Sequence, residues 1–269
     1  MKQINNIELV QVLNSGGTAT VYLGVDLYTG LPVAVKELKA NMFKSDFVRN
    51  KFIEEANQYL YMDHPNIVKL KDFIITNENH YLVMEYVEGK NLYDHMTTVT
   101  GPLPFQNVAL LLNEVLSALS YVHDRKLIHL DIKPSNIMLS SSNSVKLVDF
   151  GISKDEKSTQ IDKPIGSPAY MSPEQVEDKE VDFQSDIYST GITMYELLTG
   201  SLPFHASQTR EELFQAIKVN KMPHIEPNNS LDQANEEEIN RIFRKATHKN
   251  KKERYQTCEA FQLDIIQFI

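Results

Sequence analysis

A few side chains stand out for the chemistry their types and spacing allow. Asp131 is followed by Lys133 after two positions and by Asn136 after five, and the run passes into the apolar segment Ile137-Met138-Leu139. A carboxylate is ionised at neutral pH and accepts short hydrogen bonds, so Asp131 is suited to taking or orienting the proton of a hydroxyl. Lys133, two residues on, faces the same side of the loop and brings it a positive charge. A second carboxylate, Asp149, stands between Val148 and Phe150-Gly151. Lys36 closes the segment Pro32-Val33-Ala34-Val35, an expensive place for an ammonium unless it meets anions.

The elements that must position these groups fall into two stretches. Residues 7–13 and 19–23 are β-rich and flank a Gly-containing turn, as in a hairpin, and a third strand at 32–36 follows the turn at Thr29-Gly30. Phe52, Ala56, Tyr59 and Leu60 recur at helical spacing, and His64-Pro65-Asn66 is predicted to end that helix. Strands are predicted at 68–70 with 73–74, and at 81–84. From about Asn91 the pattern turns helical. Val108, Leu111, Leu112, Val115, Leu119 and Val122 fit one face of a long helix, while 187–198 is apolar on most sides, as in a helix at the centre of its lobe. Further helices are predicted around Phe214 and Ile217, over 239–246 and over 261–266. A strand-rich lobe followed by a helix-rich lobe points to an α+β enzyme with a cleft between them and Glu88-Gly89-Lys90 as the hinge. There is no internal repeat and no low-complexity tract.

Composition narrows the class. The chain has 269 residues, 42% hydrophobic and 23% charged, enough for a substantial core without disulfides or metal staples. Its single cysteine, Cys258, has no partner for an internal disulfide, which favours a reducing, cytoplasmic setting. A net charge of -9 and a pI near 5.4 argue against nucleic acid as a partner. The basic run from Lys249 to Arg254 is short, interrupted and best read as a solvated face. Met1-Lys2-Gln3-Ile4-Asn5 is too polar to open a secretory signal, and the most apolar stretch, 108–122, contains Asn113 and Glu114, so no membrane segment is expected. Nothing in the sequence encodes the oligomeric state.

Taken together, His129-Leu130-Asp131-Ile132-Lys133-Pro134-Ser135-Asn136, Val148-Asp149-Phe150-Gly151, Val33-Ala34-Val35-Lys36 and Ser172-Pro173-Glu174 resemble the protein kinases in order and spacing. Asp-x-Lys-Pro-x-Asn looks like their serine/threonine branch, and 129–136 with 170–175 is most similar to the Hanks-type kinases of bacteria. The resemblance runs from about Ile7 to Phe268. It implies a bilobal fold, with a small five-stranded antiparallel N-lobe carrying one helix (1–87), a hinge (88–90) and a larger, mainly helical C-lobe (91–269). It also implies transfer of the ATP γ-phosphoryl group to serine or threonine hydroxyls of proteins, the chain itself among them, with Mg2+ as cofactor and Mn2+ able to substitute.

On that resemblance the roles can be assigned. Two unit charges 4 Å apart interact by roughly 4 kcal/mol at an effective dielectric of 20, so ATP must be met by cations. Asp149 and Asn136 would ligate metal ions, Asp131 would receive the hydroxyl, and Lys133 would neutralise the moving phosphoryl group. Lys36 would grip the α- and β-phosphates, held by Glu55, with Glu54 pointing elsewhere. The family's Gly-x-Gly-x-x-Gly-x-Val pattern falls on residues 14–21, where only Gly16 keeps its place and Asn14 and Ala19 replace the outer glycines. Leu13, Val21, Ala34 and Met138 would line the adenine slot, with Met84 as gatekeeper and Glu85-Tyr86-Val87 supplying backbone. Leu130 stands where the family usually has arginine (a non-RD kinase), which implies that activity depends little on phosphorylation at Ser158 or Thr159. Residues 166–174 fit a peptide platform with Ser167 near Asp131 and Lys133. Glu174 would pair with Arg254, and Asp186 would anchor the catalytic loop from the central helix. Two rivals stay open: a nucleotide-binding scaffold without activity, favoured slightly by the altered glycine loop and Leu130, and a small-molecule phosphotransferase of related fold.

Overall fold

A computed structural model of the chain describes residues 2–76, 79–150, 154–155, 166–177, 179–204, 209–227 and 229–269. The backbone separates into two units, Met1–Glu88 and Gly89–Ile269.

The first unit is built from β1 (Lys2–Ile4), β2 (Ile7–Ser15), β3 (Ala19–Asp26), β4 (Pro32–Leu38), the short helix α1 (Ala40–Phe43), α2 (Asp46–Tyr59), β5 (Leu70–Ile75) and β6 (His80–Glu85). The strands form one antiparallel sheet in the order β1-β2-β3-β4-β6-β5. Among the described residues the sheet therefore has six strands where five were expected, and the unit has two helices where one was expected. The extra strand arises because Asn5 adopts a left-handed conformation (φ 49°), which asparagine tolerates better than most residues. That turn folds 2–4 back on β2, so that Lys2 faces Leu9 and Ile4 faces Ile7. Ile4 thereby reaches the core formed with Ile7, Leu9, Val33, Val35, Ile74, Tyr81 and Val83. The longer helix starts six residues before Phe52, where the Ser45 hydroxyl accepts the Val48 N–H as N-cap.

Strand alternation gives this sheet two different faces. Val33 and Val35 of β4 point into the core just named, which leaves Ala34 and Lys36 on the opposite face. Across the ladder, Val21 lies opposite Lys36 on one side and Asn14 on the other, while Ala34 lies opposite Met84.

The second unit begins with β7 (Gly89–Asn91), α3 (Leu92–His95) and a π-helical turn, Met96–Thr100, and continues with the long helix α4 (Phe105–Asp124). Then come β8 (Leu127–Ile128), a 3-10 turn at Pro134–Asn136, β9 (Ile137–Ser140), β10 (Val145–Leu147) and β11 (Lys154–Asp155). A second 3-10 turn, Pro168–Tyr170, precedes α5 (Pro173–Val176), α6 (Gln184–Thr199), α7 (Arg210–Val219), α8 (Ser230–Ala234), α9 (Glu236–Ala246) and α10 (Cys258–Ile265). Val108, Leu112, Val115, Leu119 and Val122 of α4 are all fully buried. Every residue of α6 from Gln184 to Leu198 is buried, polar ones included. A helix so enclosed can present hydrogen-bonding side chains to its neighbours without competition from water.

Three short strands, in the order β10-β9-β7, form a separate small sheet. Gly89 is required there: it sits at φ 158°, and a Cβ would lie 1.9 Å from the Leu139 carbonyl oxygen. Among the described residues no helix is long and apolar enough to cross a membrane.

Candidate active site

The centre of the second unit is a carboxylate with no exposure to water. Asp186, in the first turn of α6, accepts the backbone N–H groups of His129 (2.9 Å) and Leu130 (2.8 Å), and lies 2.8 Å from His123 Nε2. It does not cap its own helix, whose N-cap is Phe183 with no side-chain bond. Burial alone would raise the Asp186 pKa, but the hydrogen bonds from His123 and the loop amides hold it below the usual carboxylate range. Burial pushes the His129 pKa down, keeping that imidazole neutral. A neutral ring serves both bonds it makes: Nε2 faces the Val148 carbonyl at 3.3 Å, and Nδ1 accepts the Asp131 N–H at 3.3 Å.

Asp186 thus grips the two residues that precede Asp131. Leu130 sits at φ 66°, a left-handed conformation that costs a β-carbon-bearing residue about 1–2 kcal/mol. The two short hydrogen bonds to the buried carboxylate fix the peptides entering His129 and Leu130.

The Asp131 carboxylate is in turn fixed by three donors. Its Oδ1 accepts the Ser167 N–H (2.9 Å), and its Oδ2 accepts Lys133 Nζ (2.7 Å) and Asn136 Nδ2 (2.9 Å). Lys133 also donates to the Ser167 hydroxyl at 2.6 Å, so Asp131, Lys133, Asn136 and Ser167 form one connected group. Asn136 turns its amide nitrogen to Asp131 twice, once to the side chain and once to the carbonyl oxygen, which leaves the amide oxygen facing away from that carboxylate. The Asn136 carbonyl accepts the Val148 N–H, which ties the loop to the segment entering Asp149. Asp149 is exposed and left-handed (φ 71°), while its neighbour Phe150 is fully buried with its ring 4.5 Å from that of His129.

In the first unit, Lys36 Nζ donates to both Glu55 oxygens, at 2.7 and 2.9 Å, and the Glu55 side chain is 4% exposed. The adjacent Glu54 faces water and pairs with Lys51. Val21, Ala34, Lys36 and Met84 occupy the sheet face opposite the apolar core. Leu13 falls at the register shift between Val12 and Asn14, where a bulge re-aims a side chain. The hairpin tip closes with Gly16 N–H on the Ala19 carbonyl (3.0 Å), and Asn14 Oδ1 accepts the Ser15 N–H. A Cβ on Gly16 would meet only the Ala19 oxygen at 3.8 Å, so the fold itself does not demand glycine there. Glu85 donates its N–H to the Lys69 carbonyl; Val87 follows β6, and Met138 lies on β9 of the other unit.

Residues 7–266 match the family model described as the protein kinase domain. The chain belongs to that family. Among curated relatives, the kinase domain is 33% identical over 261 residues to the serine/threonine-protein kinase PrkC of Bacillus subtilis, covering 96% of this chain and 40% of that protein. It is 35% identical over 271 residues to the serine/threonine-protein kinase PknB of Mycobacterium leprae, covering 97% and 42%, and 34% identical over 272 residues to PknB of Mycobacterium tuberculosis, covering 97% and 42%. It spans about two-fifths of the length of these relatives.

Further from Asp131, Glu174 and Arg254 form a doubly hydrogen-bonded pair (2.7 and 3.1 Å), with Arg254 2% exposed. Arg254 also donates to the Gln184 and His248 carbonyls, and Ser185 donates to Glu174. Burial works against the Glu174 charge, but Arg254 outweighs it and holds the pKa low. His123, His129 and Ser185 are partners that were not anticipated from the sequence. Only His129, inside the catalytic-loop motif, carried a signal that pointed to it. Ser158, Thr159 and Gly151 lie outside the described residues.

Proposed function

We propose that this kinase domain transfers the γ-phosphoryl group of ATP to serine and threonine hydroxyls of proteins, itself among them, in the bacterial cytoplasm. The observation that carries the reading is the connected group Asp131–Lys133–Asn136–Ser167, in which one carboxylate is oriented by three donors. The hydroxyl oxygen of the substrate forms the new bond to the γ-phosphorus while the bond to the β–γ bridging oxygen breaks and ADP leaves. Asp131 orients the attacking hydroxyl and takes its proton. Lys133 offsets the charge of the transferring group, and Lys36, steadied by Glu55, grips the α- and β-phosphates. Gly16 lets the hairpin backbone approach the phosphates, which accounts for a glycine that the fold does not require.

Asp149 and the amide oxygen of Asn136 suit a hard divalent cation, Mg2+ in this proposal with Mn2+ able to substitute. Among the described residues no three His, Cys, Asp or Glu side chains gather into a cage. Such a cation would be bound by one or two carboxylates and completed by substrate phosphates, whose charge it would neutralise. Val21, Ala34 and Met84, with Leu13 and Met138, would form the adenine slot, and 85–87 its backbone edge. With leucine at 130, the loop has no guanidinium to pair with a phosphorylated residue, so substitution of Ser158 and Thr159 should leave most activity. Nucleic acid is not among the partners of so acidic a chain. A buried, lone cysteine accords with the cytoplasm.

The test is incubation with γ-labelled ATP, Mg2+ or Mn2+ and a basic protein, followed by identification of the labelled residue. Label on serine and threonine, absent with Asp149→Asn, is the expected result. ATP binding without transfer would favour the scaffold reading, and label on small molecules alone would overturn the protein substrate.

A further inference from the structure

Leu130 is pinned at two points that do different jobs. Its N–H, held by Asp186 Oδ1, precedes the N–Cα bond, so this contact fixes the peptide entering the residue. Rotation about that bond moves the side chain and the carbonyl while leaving the N–H in place. The left-handed φ of 66° must therefore be held by contacts beyond the bond. The carbonyl has one, a long bond of 3.5 Å from Gln175 Nε2. The side chain, 3% exposed, belongs to a small apolar cluster with Ile128 of β8 and Val181, apart from the other apolar clusters of the unit.

Val181 lies in the connection between α5 and α6 and is 7% exposed, although both residues before it, Lys179 and Glu180, are exposed. A single ammonium fastens the chain on each side of it: Lys251 Nζ donates to the Glu180 carbonyl (3.0 Å) and to the Asp182 carboxylate (2.7 Å). A valine thus stands on an anchored connection and shares one apolar cluster with the residue that precedes Asp131.

We propose that Val181 is a positioning residue for phosphoryl transfer, holding Leu130 in its left-handed conformation so that the Asp131 carboxylate stays on Ser167, Lys133 and Asn136. This rests on the kinase reading above. Relaxation of Leu130 would swing its side chain towards water and turn the peptide joining it to Asp131, breaking the Asp131 N–H bond to His129 Nδ1. The apolar contact opposes both movements. Because the clamp carries no charge, it needs no phosphate to close.

Steady-state kinetics on Val181→Ala, Val181→Thr and Val181→Ile, each checked by thermal melting and run beside Asp131→Asn, test the idea. Val181→Ala should lower kcat about tenfold, equal to roughly 1.4 kcal/mol of barrier. KM for ATP should stay within about twofold, and Val181→Ile should recover kcat to within about threefold of the parent. Val181→Thr keeps the shape but not the apolar surface and should lower kcat even if the alanine variant proves too unstable to assay. A threonine variant with the parent's kcat would overturn the proposal, as would an alanine variant whose loss merely tracks its unfolded fraction. Full activity of Asp131→Asn, or no transfer by the parent chain, would instead bring down the kinase reading itself.

Discussion

The loop at 129–136 and the hairpin tip at 14–19 both belong to the proposed ATP chemistry, yet they are built differently. In the loop, two backbone amides end on a buried carboxylate, a neutral buried histidine bridges two segments, and the Asp131 side chain is held by three donors. At the tip, residues 14–18 are all exposed, and the turn is held by neutral contacts: the Gly16 N–H on the Ala19 carbonyl, the Lys39 N–H on the Thr18 carbonyl, the Ser15 and Thr20 hydroxyls at 3.3 Å, and the local contact of Asn14 with Ser15. The difference follows from what each must do. A group that takes a proton must hold its position to a fraction of an ångström, whereas a loop that only offers amides to phosphates must be able to move towards them. Fixed geometry requires buried charge and its partners, and buried charge requires a helix such as α6 to carry it.

The largest effect expected from breaking this contrast is at Asp186. Asp186→Ala leaves the His129 and Leu130 amides without their acceptor inside the fold, and each orphaned group costs about 1–3 kcal/mol. Denaturant unfolding should show a loss of about 2–6 kcal/mol, from the two amides together. A loss below 1 kcal/mol would mean that the loop is held some other way.

Next comes the Glu174–Arg254 pair. Removing one partner of a buried pair costs on the order of 3–5 kcal/mol, so Glu174→Ala should unfold more readily while a folded fraction still binds ATP. The pair also sets an acid limit. The Glu174 and Asp186 pKa values are depressed in the fold, so the unfolded chain binds more protons as pH falls. Their stabilisation is complete above the unfolded carboxylate values of about 4 and is lost as pH falls through the folded ones. Tm should drop below about pH 4, and Glu174→Gln, already destabilised, should lose Tm less steeply there.

The smallest expected effects are at the tip. Gly16→Ala meets no close atom of the chain and should change stability by less than about 0.5 kcal/mol, yet weaken ATP binding in calorimetry. Asn14→Gly should tighten ATP binding by up to about threefold, or ~0.6 kcal/mol. A tip substitution that cost as much stability as Asp186→Ala would erase the distinction between the two regions.

Much of this was legible in the sequence because function had left dense local motifs. The long face of α4 and the enclosed α6 were also plain, since apolar periodicity over four or more turns has few other readings. The sixth strand was not legible, because Lys2, Gln3 and Ile4 become a strand only when Asn5 turns left-handed, and its one apolar residue gives no alternation to read. The start of β5 at Leu70, not Val68, was missed for a related reason: apolar Ile67 and Val68 are buried but precede the strand. The loop partners of Asp186 were implied by the family resemblance, but His123 of α4, 63 residues away in sequence, was not, since no spacing rule reaches that far.

The most direct test is the effect of Asp131→Asn on kcat beside its effect on ATP affinity. The amide keeps the shape but is a poor proton acceptor, so kcat should fall about 10²–10⁴-fold, the usual range for losing a general base. ATP affinity by calorimetry should stay within about threefold of the parent, because Asp131 is assigned to the hydroxyl and not to the nucleotide. Undiminished transfer by the asparagine variant, or a loss of ATP binding that matches the loss of turnover, would contradict the role given to this carboxylate.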